Sequence, residues 1–479
     1  MRNIETPEKL AARKAREQKE LAKWRKEQTK PKRRFYLIYL IVVLSLVFIM
    51  DSVATDICTK MKAEICGALF GGSTATMDLL GMLASAVMIA GAIYKSMSDR
   101  FGRKIFLVLN TIAMGAGMFI VYLAGAMGSA AVYICGSLLI TFFIAHDMQA
   151  VYVLETMPKE RRFTMLSIVS AIASFGAILI PIMRRTVMGN NTELWNRVFL
   201  VPAILAAVVG LIAMVTARET DVFLNNRIRF LEMTDEEREA EKAQRQAEAQ
   251  AQGGLLPAFK FAFRHKQLRW LFICTMLVSV AMIGTMYYQQ IMTYGYEATY
   301  GASAPEVVTD ALMVMPVIGA IFTLAKGFIS DKFGRKPVAV VMASLTLIGI
   351  VGFFLGITFA WSPVLVGIFT GMYTGGYWCT SDAMGGNMCA EAAPTNLRAS
   401  VLGAQSLCNM VGMGVSYPAM IVMSIIGGND ALGITCLLCV AVPMMIAIVV
   451  FSAKVAETKG IDLNTVRGDE WDEGTGNGR

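Results

Sequence analysis

The sequence predicts an all-α polytopic membrane protein of twelve transmembrane helices, arranged as two pseudo-symmetric six-helix bundles. Three observations predict it. Of the 479 residues, 55% are hydrophobic and only 17% charged, and a mean hydropathy of +0.54 lies well to the apolar side of soluble domains. The apolar residues gather in runs that match the roughly 20 helical residues needed to cross a bilayer core of about 30 Å. A charged loop, Ser98-Asp99-Arg100-Phe101-Gly102-Arg103-Lys104, separates two such runs and returns 232 residues later as Ser330-Asp331-Lys332-Phe333-Gly334-Arg335-Lys336.

Residues 1–34 form a basic, mixed-charge arm without the apolar core or small-residue cleavage site of a secretory signal. It reads as a cytoplasmic arm, either a helix lying on anionic headgroups or a solvated one. Twelve segments then have the length and polarity of spans, at about 35–56, 74–95, 105–126, 131–156, 163–185, 196–217, 269–293, 308–328, 337–359, 363–390, 398–425 and 430–453. The first six make a bundle over 35–217, and the last six a bundle over 269–453. Between them, 218–268 is a polar linker in which Thr234-Asp235-Glu236-Glu237 opens a charge-laced helix with a capping box, ending near Gly253-Gly254. It serves as a tether or as a helix for a regulatory partner. Residues 454–479 are a polar tail.

Lys and Arg fall in the stretches from Lys95 to Lys104, Lys159 to Arg162 and Lys332 to Lys336, whereas the loops around 127–130, 360–362 and 426–430 carry almost none. The positive-inside rule therefore puts both termini in the cytoplasm, and the net charge of +8 reflects topology rather than affinity for nucleic acid. Seven of the nine cysteines lie in or at the ends of apolar runs, where they act as small hydrophobes. Cys58 and Cys66 share the first external loop, where a disulfide and a free pair both stay open. No metal-binding spacing is visible.

The repeat has two further landmarks. Glu155-Thr-Met-Pro158-Lys-Glu-Arg-Arg162 shares its E-x-x-P-x-x-x-R spacing with Glu391-Ala-Ala-Pro394-Thr-Asn-Leu-Arg398, a shift of 236 residues. Arg218-Glu219-Thr220 is echoed by Ala456-Glu457-Thr458, a shift of 238. Three landmarks in one order indicate parallel repeats related by an axis along the membrane normal.

These residues resemble the major facilitator superfamily. Asp99-Arg100-x-Gly102-Arg103-Lys104 and Gly327-x-x-x-Asp331-Lys332-x-Gly334-Arg335-Lys336 match its loop signature between helices two and three and again between eight and nine. Glu155/Arg162, Glu391/Arg398 and Glu457-Thr458-Lys459-Gly460 resemble the signatures of its sugar-porter branch, which also holds organic-ion and aromatic-acid carriers. The resemblance implies two six-helix bundles that alternate access to a midplane cavity. Departures exist: Lys95 stands where the first signature has Gly, and span six ends in Arg218-Glu219-Thr220-Asp221 instead of Pro-Glu-Ser-Pro-Arg. Span five has Gly176 and Pro181 but lacks the Gly-Pro of drug antiporters, which counts against export.

The charge pattern, present once in each half, suggests a gating network of Asp99, Arg100, Arg103, Lys104, Glu155, Arg162, Asp331, Arg335, Glu391 and Arg398. In it, Asp99 accepts from a helix N-terminus and pairs with Arg103 or with cations of the next loop, making a cytoplasmic latch that breaks and reforms when the halves rock. The alternative is a topological anchor alone. Ionisable groups at membrane depth cost at least about 2.5–3.5 kcal/mol, which makes them functional candidates. Asp147 lies eight residues before Glu155 and Asp382 nine before Glu391, so the repeat sets them at equivalent depth, facing across the pseudo-axis. His146 adds a group titrating near neutral pH, with a structural hydrogen-bonding role left open. Asp51, in span one, has its repeat counterpart near the Tyr287-Tyr288 pair of span seven. Asp78 reads as interfacial, and Arg184 and Arg185 as side chains snorkelling to the outer interface in preference to anion sites.

Substrate contacts are expected from Tyr287, Tyr288, Gln289 and Gln290 on span seven, Trp378 on span ten, and Gln405 and Asn409, which are i, i+4 neighbours on span eleven. Amides beside aromatic platforms suit hydroxyl-rich or planar polar solutes. The sequence therefore reads as a monomeric secondary transporter in the cytoplasmic membrane. It would carry a small polar organic solute, sugar-like or an organic acid, with protons, using neither a cofactor nor a phosphate loop. Proton coupling falls to Asp147, Asp382, Asp51 and His146. The alternatives are an organic-ion or drug exporter by proton antiport, and a transporter-like receptor; no nucleophile–base or metal constellation suggests an enzyme.

Overall fold

The computed structural model describes residues 7–30, 35–79, 97–144, 146–156, 162–241, 255–393, 398–428 and 430–459, with the single positions 87, 94 and 243. The described residues are helical throughout, with no strand among them. The first helices are α1 (Pro7–Gln28), α2 (Tyr36–Lys60) and α3 (Lys62–Phe70). The expected second span begins at residues 74–79 and lies mostly outside the described residues, as does Lys95. A single turn, Ser98–Phe101, then leads into α4 (Arg103–Met127). The expected fourth span is broken at Ile144 into α5 (Ala130–Phe143) and α6 (His146–Thr156). After α7 (Arg162–Gly176), span five continues as Leu179–Met183 and a π-helical turn, Arg184–Met188, and α8 (Arg197–Thr216) completes this half.

The linker contributes α9 (Asp221–Glu232), and the second half begins at α10 (Lys266–Val280). It continues as α11 (Gly284–Tyr300), α12 (Ala304–Phe333), α13 (Arg335–Thr358) and α14 (Pro363–Ser381), the last prolonged by a π-helical segment, Asp382–Met388. It closes with α15 (Arg398–Gly427) and α16 (Asp430–Lys454). Eight helices among the described residues are long and apolar enough to cross a membrane; one continuous run, Lys266–Ser330, holds the expected seventh and eighth spans together.

Burial explains the two-bundle arrangement. One core is built from residues between Leu40 and Ala217, and a separate one from residues between Ala262 and Val455. Outward side chains such as Val215, Phe328 and Ile426 are strongly exposed, forming the apolar belt that a bilayer covers. The repeat reaches into packing detail. Gly117 of α4 lets α5 approach so closely that a Cβ there would strike Ile140, and Gly349 of α13, 232 residues on, does the same for Tyr373 of α14.

The N-terminal arm behaves differently from expectation. It is helical, yet it lies on α9: Trp24 packs edge-on against Phe223 at 5.4 Å, in a small core with Leu224, Ile228 and Leu231. Arg25–Glu232 at 2.6 Å, Arg227–Glu20 at 2.9 Å and Arg238–Glu17 at 3.0 Å frame that core. The linker interval hid α9 because its apolar stripe is short and faces a partner helix, not lipid. The capping box of the next helix is present: Thr234 N donates to Glu237 Oε2 at 2.8 Å and Glu237 N to Thr234 Oγ1 at 3.2 Å. Its expected end near Gly253-Gly254 lies outside the described residues. Cys58 and Cys66 are both free thiols.

Candidate functional site

At one end of the molecule the repeated loops build two copies of one device. Gly102 takes φ +111°, a conformation that side-chain-bearing residues rarely adopt, and turns the chain into α4. A helix start leaves backbone N–H groups without intrahelical partners. Here Glu219 caps them from a distance: its Oε1 accepts from Arg103 N at 2.8 Å and its Oε2 from Lys104 N at 3.2 Å. The Arg103 guanidinium reaches Glu155 at 3.2 Å and Ser98 Oγ at 2.7 Å, while Thr220 Oγ1 donates to Glu155 Oε2 at 2.6 Å.

The second copy repeats this around Gly334, with φ +107°. Glu457 Oε1 accepts from Arg335 N at 2.8 Å and its Oε2 from Lys336 N at 2.9 Å. Arg335 Nε donates to Glu391 at 3.2 Å, and Thr458 Oγ1 to the other Glu391 oxygen at 2.5 Å. Burial raises the Glu219 carboxyl above the usual carboxylate range, and the N–H groups of Thr220, Lys104 and Arg103 pull it back down. The side chains of Asp99, Arg100, Arg162, Asp331 and Arg398 lie outside the described residues, and the expected Asp99–Arg103 pairing with them.

Sequence reasoning missed Glu219, Thr220, Glu457 and Thr458 as members of the network. Their signal was present, since they form the third repeat landmark; they served as markers of the repeat and not as ligands.

The opposite end is closed by bonds that cross between the halves. Arg184 donates to Glu64 at 2.6 Å and to the Lys60 carbonyl at 2.8 Å, and its Nε reaches Thr309 of α12 at 3.2 Å. Glu64 in turn accepts from Gln289 Nε2 at 3.0 Å, and Gln289 Oε1 accepts from Ala63 N at 2.9 Å. Gln290 donates to Thr74 at 2.9 Å, and Arg185 to Asp310 at 2.7 Å. Lys62 pairs with Asp78 at 3.0 Å and stands 3.4 Å from the centre of the Tyr287 ring.

Two expectations are corrected here. Arg184 does not snorkel but is fully buried, because Glu64 supplies a counter-charge inside the protein. Asp78 is buried and paired with Lys62, not interfacial. Tyr287, Tyr288, Gln289 and Gln290 are all buried at this closure, their amides engaged as above. Asp51 is buried on α2 within the first half.

Between the two ends lie the remaining candidates. Asp382, at the start of the π segment, exposes 58% of its side chain and pairs with Lys326 of α12 at 2.5 Å. The side chains of His146 and Asp147 lie outside the described residues, so the expected facing of Asp147 and Asp382 lies there too. Trp378, one turn before Asp382, is 49% exposed. Gln405 is buried on α15, against Gly385 of the π segment. The Oδ1 atom of Asn409 and both amide ends of Gln149 on α6 are buried and make no hydrogen bond among the described residues. Gln149 escaped sequence reasoning because the second half has no amide at its equivalent position, where Gly385 stands.

The charged loops capped in trans, the two cores and the apolar belt define a multi-pass membrane protein built from an internal repeat. A family profile of the Major Facilitator Superfamily matches residues 35–417. The chain belongs to this superfamily, a family of transporters and not of enzymes. It is similar to the solved D-xylose–proton symporter, at 17% identity and a TM-score of 0.64, over 89% of this chain and 99% of the other. The xylose transporter XylE from E. coli in its inward-open form gives 17% and 0.61, over 90% and 98%. The E. coli fucose:proton symporter FucP gives 13% and 0.51, over 88% and 100%. At these identities the likeness is one of fold. No curated protein matches the chain.

Proposed function

We propose that the protein is a secondary active transporter that carries a small polar organic solute across the cytoplasmic membrane by alternating access, together with protons. The observation that carries this reading is the contrast between the two ends. At one end each half holds its own complete latch, and at the other the halves are tied to each other by Arg184–Thr309, Glu64–Gln289, Gln290–Thr74 and Arg185–Asp310. Rocking of bundle 35–217 against bundle 269–453 has to break the second set, whereas each latch joins residues of one half only and so, unlike the latch expected to break on rocking, keeps its bundle rigid. Both termini, the linker 218–268 and the latches are then cytoplasmic. The proton-coupled sugar carriers of like fold support the same reading.

Trp378, Gln405 and Asn409 contact the solute, joined by Gln149, whose buried amide has no partner among the described residues and calls for one. Tyr287, Tyr288, Gln289 and Gln290 become available as the closed end opens. Asp147, Asp382, Asp51 and His146 are the proton-coupling candidates. In proteoliposomes screened with labelled sugars and carboxylates, the Asp147→Asn/Asp382→Asn double variant should lose accumulation driven by a pH gradient and keep counterflow exchange. Normal accumulation would sink the coupling assignment; binding without flux in the wild type would sink the transporter reading.

A further inference from the structure

We infer that Lys326 anchors an anionic group of the solute, so that the cavity takes an organic carboxylate in preference to a neutral sugar; this rests on the transporter reading above. Lys326 lies near the cytoplasmic end of the eighth span, and its ammonium reaches inward to Asp382, which stands nine residues, roughly 13 Å of helix, before Glu391 of the loop signature. An ammonium at that depth needs both a partner and a purpose. Its partner is Asp382, at 2.5 Å, and the pair is open on one side, because the Asp382 side chain keeps 58% of its surface exposed. A carboxylate so exposed within a membrane span faces water and not hydrocarbon, so the pair borders an aqueous cavity. The Arg184–Glu64 pair, by contrast, is enclosed on every side.

The surroundings favour one kind of ligand. Trp378 lies one turn before Asp382 and is half exposed, while the buried Tyr377 packs edge-on against it at 5.2 Å and holds the indole in place. A rigid indole beside an ammonium fits a solute with a planar or apolar body and a carboxylate at its end. Asp382 then acts as the stand-in: it holds Lys326 in the empty cavity, and the solute carboxylate takes its place. Lys326 exchanges one carboxylate for another and is never left unpaired at membrane depth. A neutral sugar could not make that exchange.

The test uses the purified full-length protein in detergent, with benzoate, succinate and pyruvate as probes and benzamide and glucose as uncharged controls, read by calorimetric titration. At least one carboxylate should bind and the controls should not. Lys326→Gln should weaken that carboxylate by tenfold or more, Lys326→Arg should keep most of the affinity, and Asp382→Asn should tighten binding several-fold by removing the internal competitor. Unchanged binding in Lys326→Gln, binding of glucose but of no carboxylate, or no binding by any of the three carboxylates would overturn the assignment. Should Lys326→Gln fail to fold, weaker binding in Asp382→Asn overturns it equally. Carboxylate binding through Lys326 without flux in liposomes would remove the transporter reading and leave the anchor; flux of sugars alone would do the reverse.

Discussion

Glu219 and Glu457 are structural equivalents: each carboxylate accepts the first two backbone N–H groups of the helix that follows a repeated charged loop. Each is followed by a threonine that donates to the other glutamate of its half, Glu155 or Glu391. The equivalence matters because the capping carboxylate arrives in both from the far end of the half, 116 and 122 residues away. A latch closed in this way ties the third helix of a half to the end of its sixth.

Removing either cap should therefore have the same kind of effect. Glu219→Ala and Glu457→Ala leave orphaned N–H groups at a helix start and free Arg103 or Arg335 from a neighbouring charge. Loss of a side-chain cap costs about 0.5–2 kcal/mol, and each variant should lower the melting temperature of the purified protein accordingly. A large effect from one and none from the other would mean that only one loop is a latch.

The Glu219 carboxyl has its pKa raised, chiefly by burial. A carboxyl raised on folding contributes stability that is fully present below the unfolded glutamate pKa of about 4.3 and is lost as pH rises through the higher folded value. Glu219→Gln keeps an acceptor oxygen and removes the titration. The stability of the wild type relative to Glu219→Gln should thus be greatest under acid conditions and decline as pH rises through that window. Melting curves collected from mildly acidic to neutral pH check this, and a difference that is flat or of opposite slope would rule it out.

Gly102 and Gly128 separate two reasons for glycine. Both have positive φ, at +111° and +62°, but a Cβ at Gly102 would run into the Glu219 carboxylate, whereas at Gly128 it would meet nothing within 4 Å. Alanine at Gly128 should cost about 1 kcal/mol through backbone strain alone. At Gly102, where φ +111° and ψ +150° fall in a region almost confined to glycine, the same change adds greater backbone strain and displacement of the cap, so its destabilisation should exceed that of Gly128→Ala by at least the worth of a cap. Equal melting temperatures for the two variants would show that the loop relaxes and the carboxylate moves aside freely.

Much of this was legible in the sequence because a repeat records geometry twice. The equivalence of Arg103 and Glu155 with Arg335 and Glu391 followed from offsets alone, whereas the contact of each arginine with the glutamate of its own half did not, because the loop's aspartate stood as the nearer candidate. Charges at membrane depth were harder to read. Hydropathy says that an ion there must be satisfied, but not by which helix. Arg184 and Asp78 were therefore misjudged as outward-facing, since their partners Glu64 and Lys62 sit on α3, a short helix in what reads as a loop. Lys326 went unremarked because its partner lies 56 residues away on another helix. The docking of α1 on α9 was hidden for the same reason: two modest apolar stripes look solvated until they meet.

The closed end offers the sharpest energetic test, because Arg184 and Glu64 are both buried and each also binds the second half through Thr309 or Gln289. Removing one member of a buried pair strands the other charge and costs about 3–5 kcal/mol, whereas replacing both with uncharged groups is far less harmful. Arg184→Met and Glu64→Gln should each destabilise the protein strongly, and the double variant should be more stable than the sum of the two losses by more than 1 kcal/mol. The single variants should also weaken the closure itself. A cysteine placed at Thr309 should react faster with a membrane-impermeant maleimide in Glu64→Gln than in its absence, since the amide leaves one acceptor oxygen where Arg184 and Gln289 each had their own. Additive losses in the melting cycle, with unchanged labelling, would reduce the pair to a local packing feature and move the barrier to opening elsewhere along the interface.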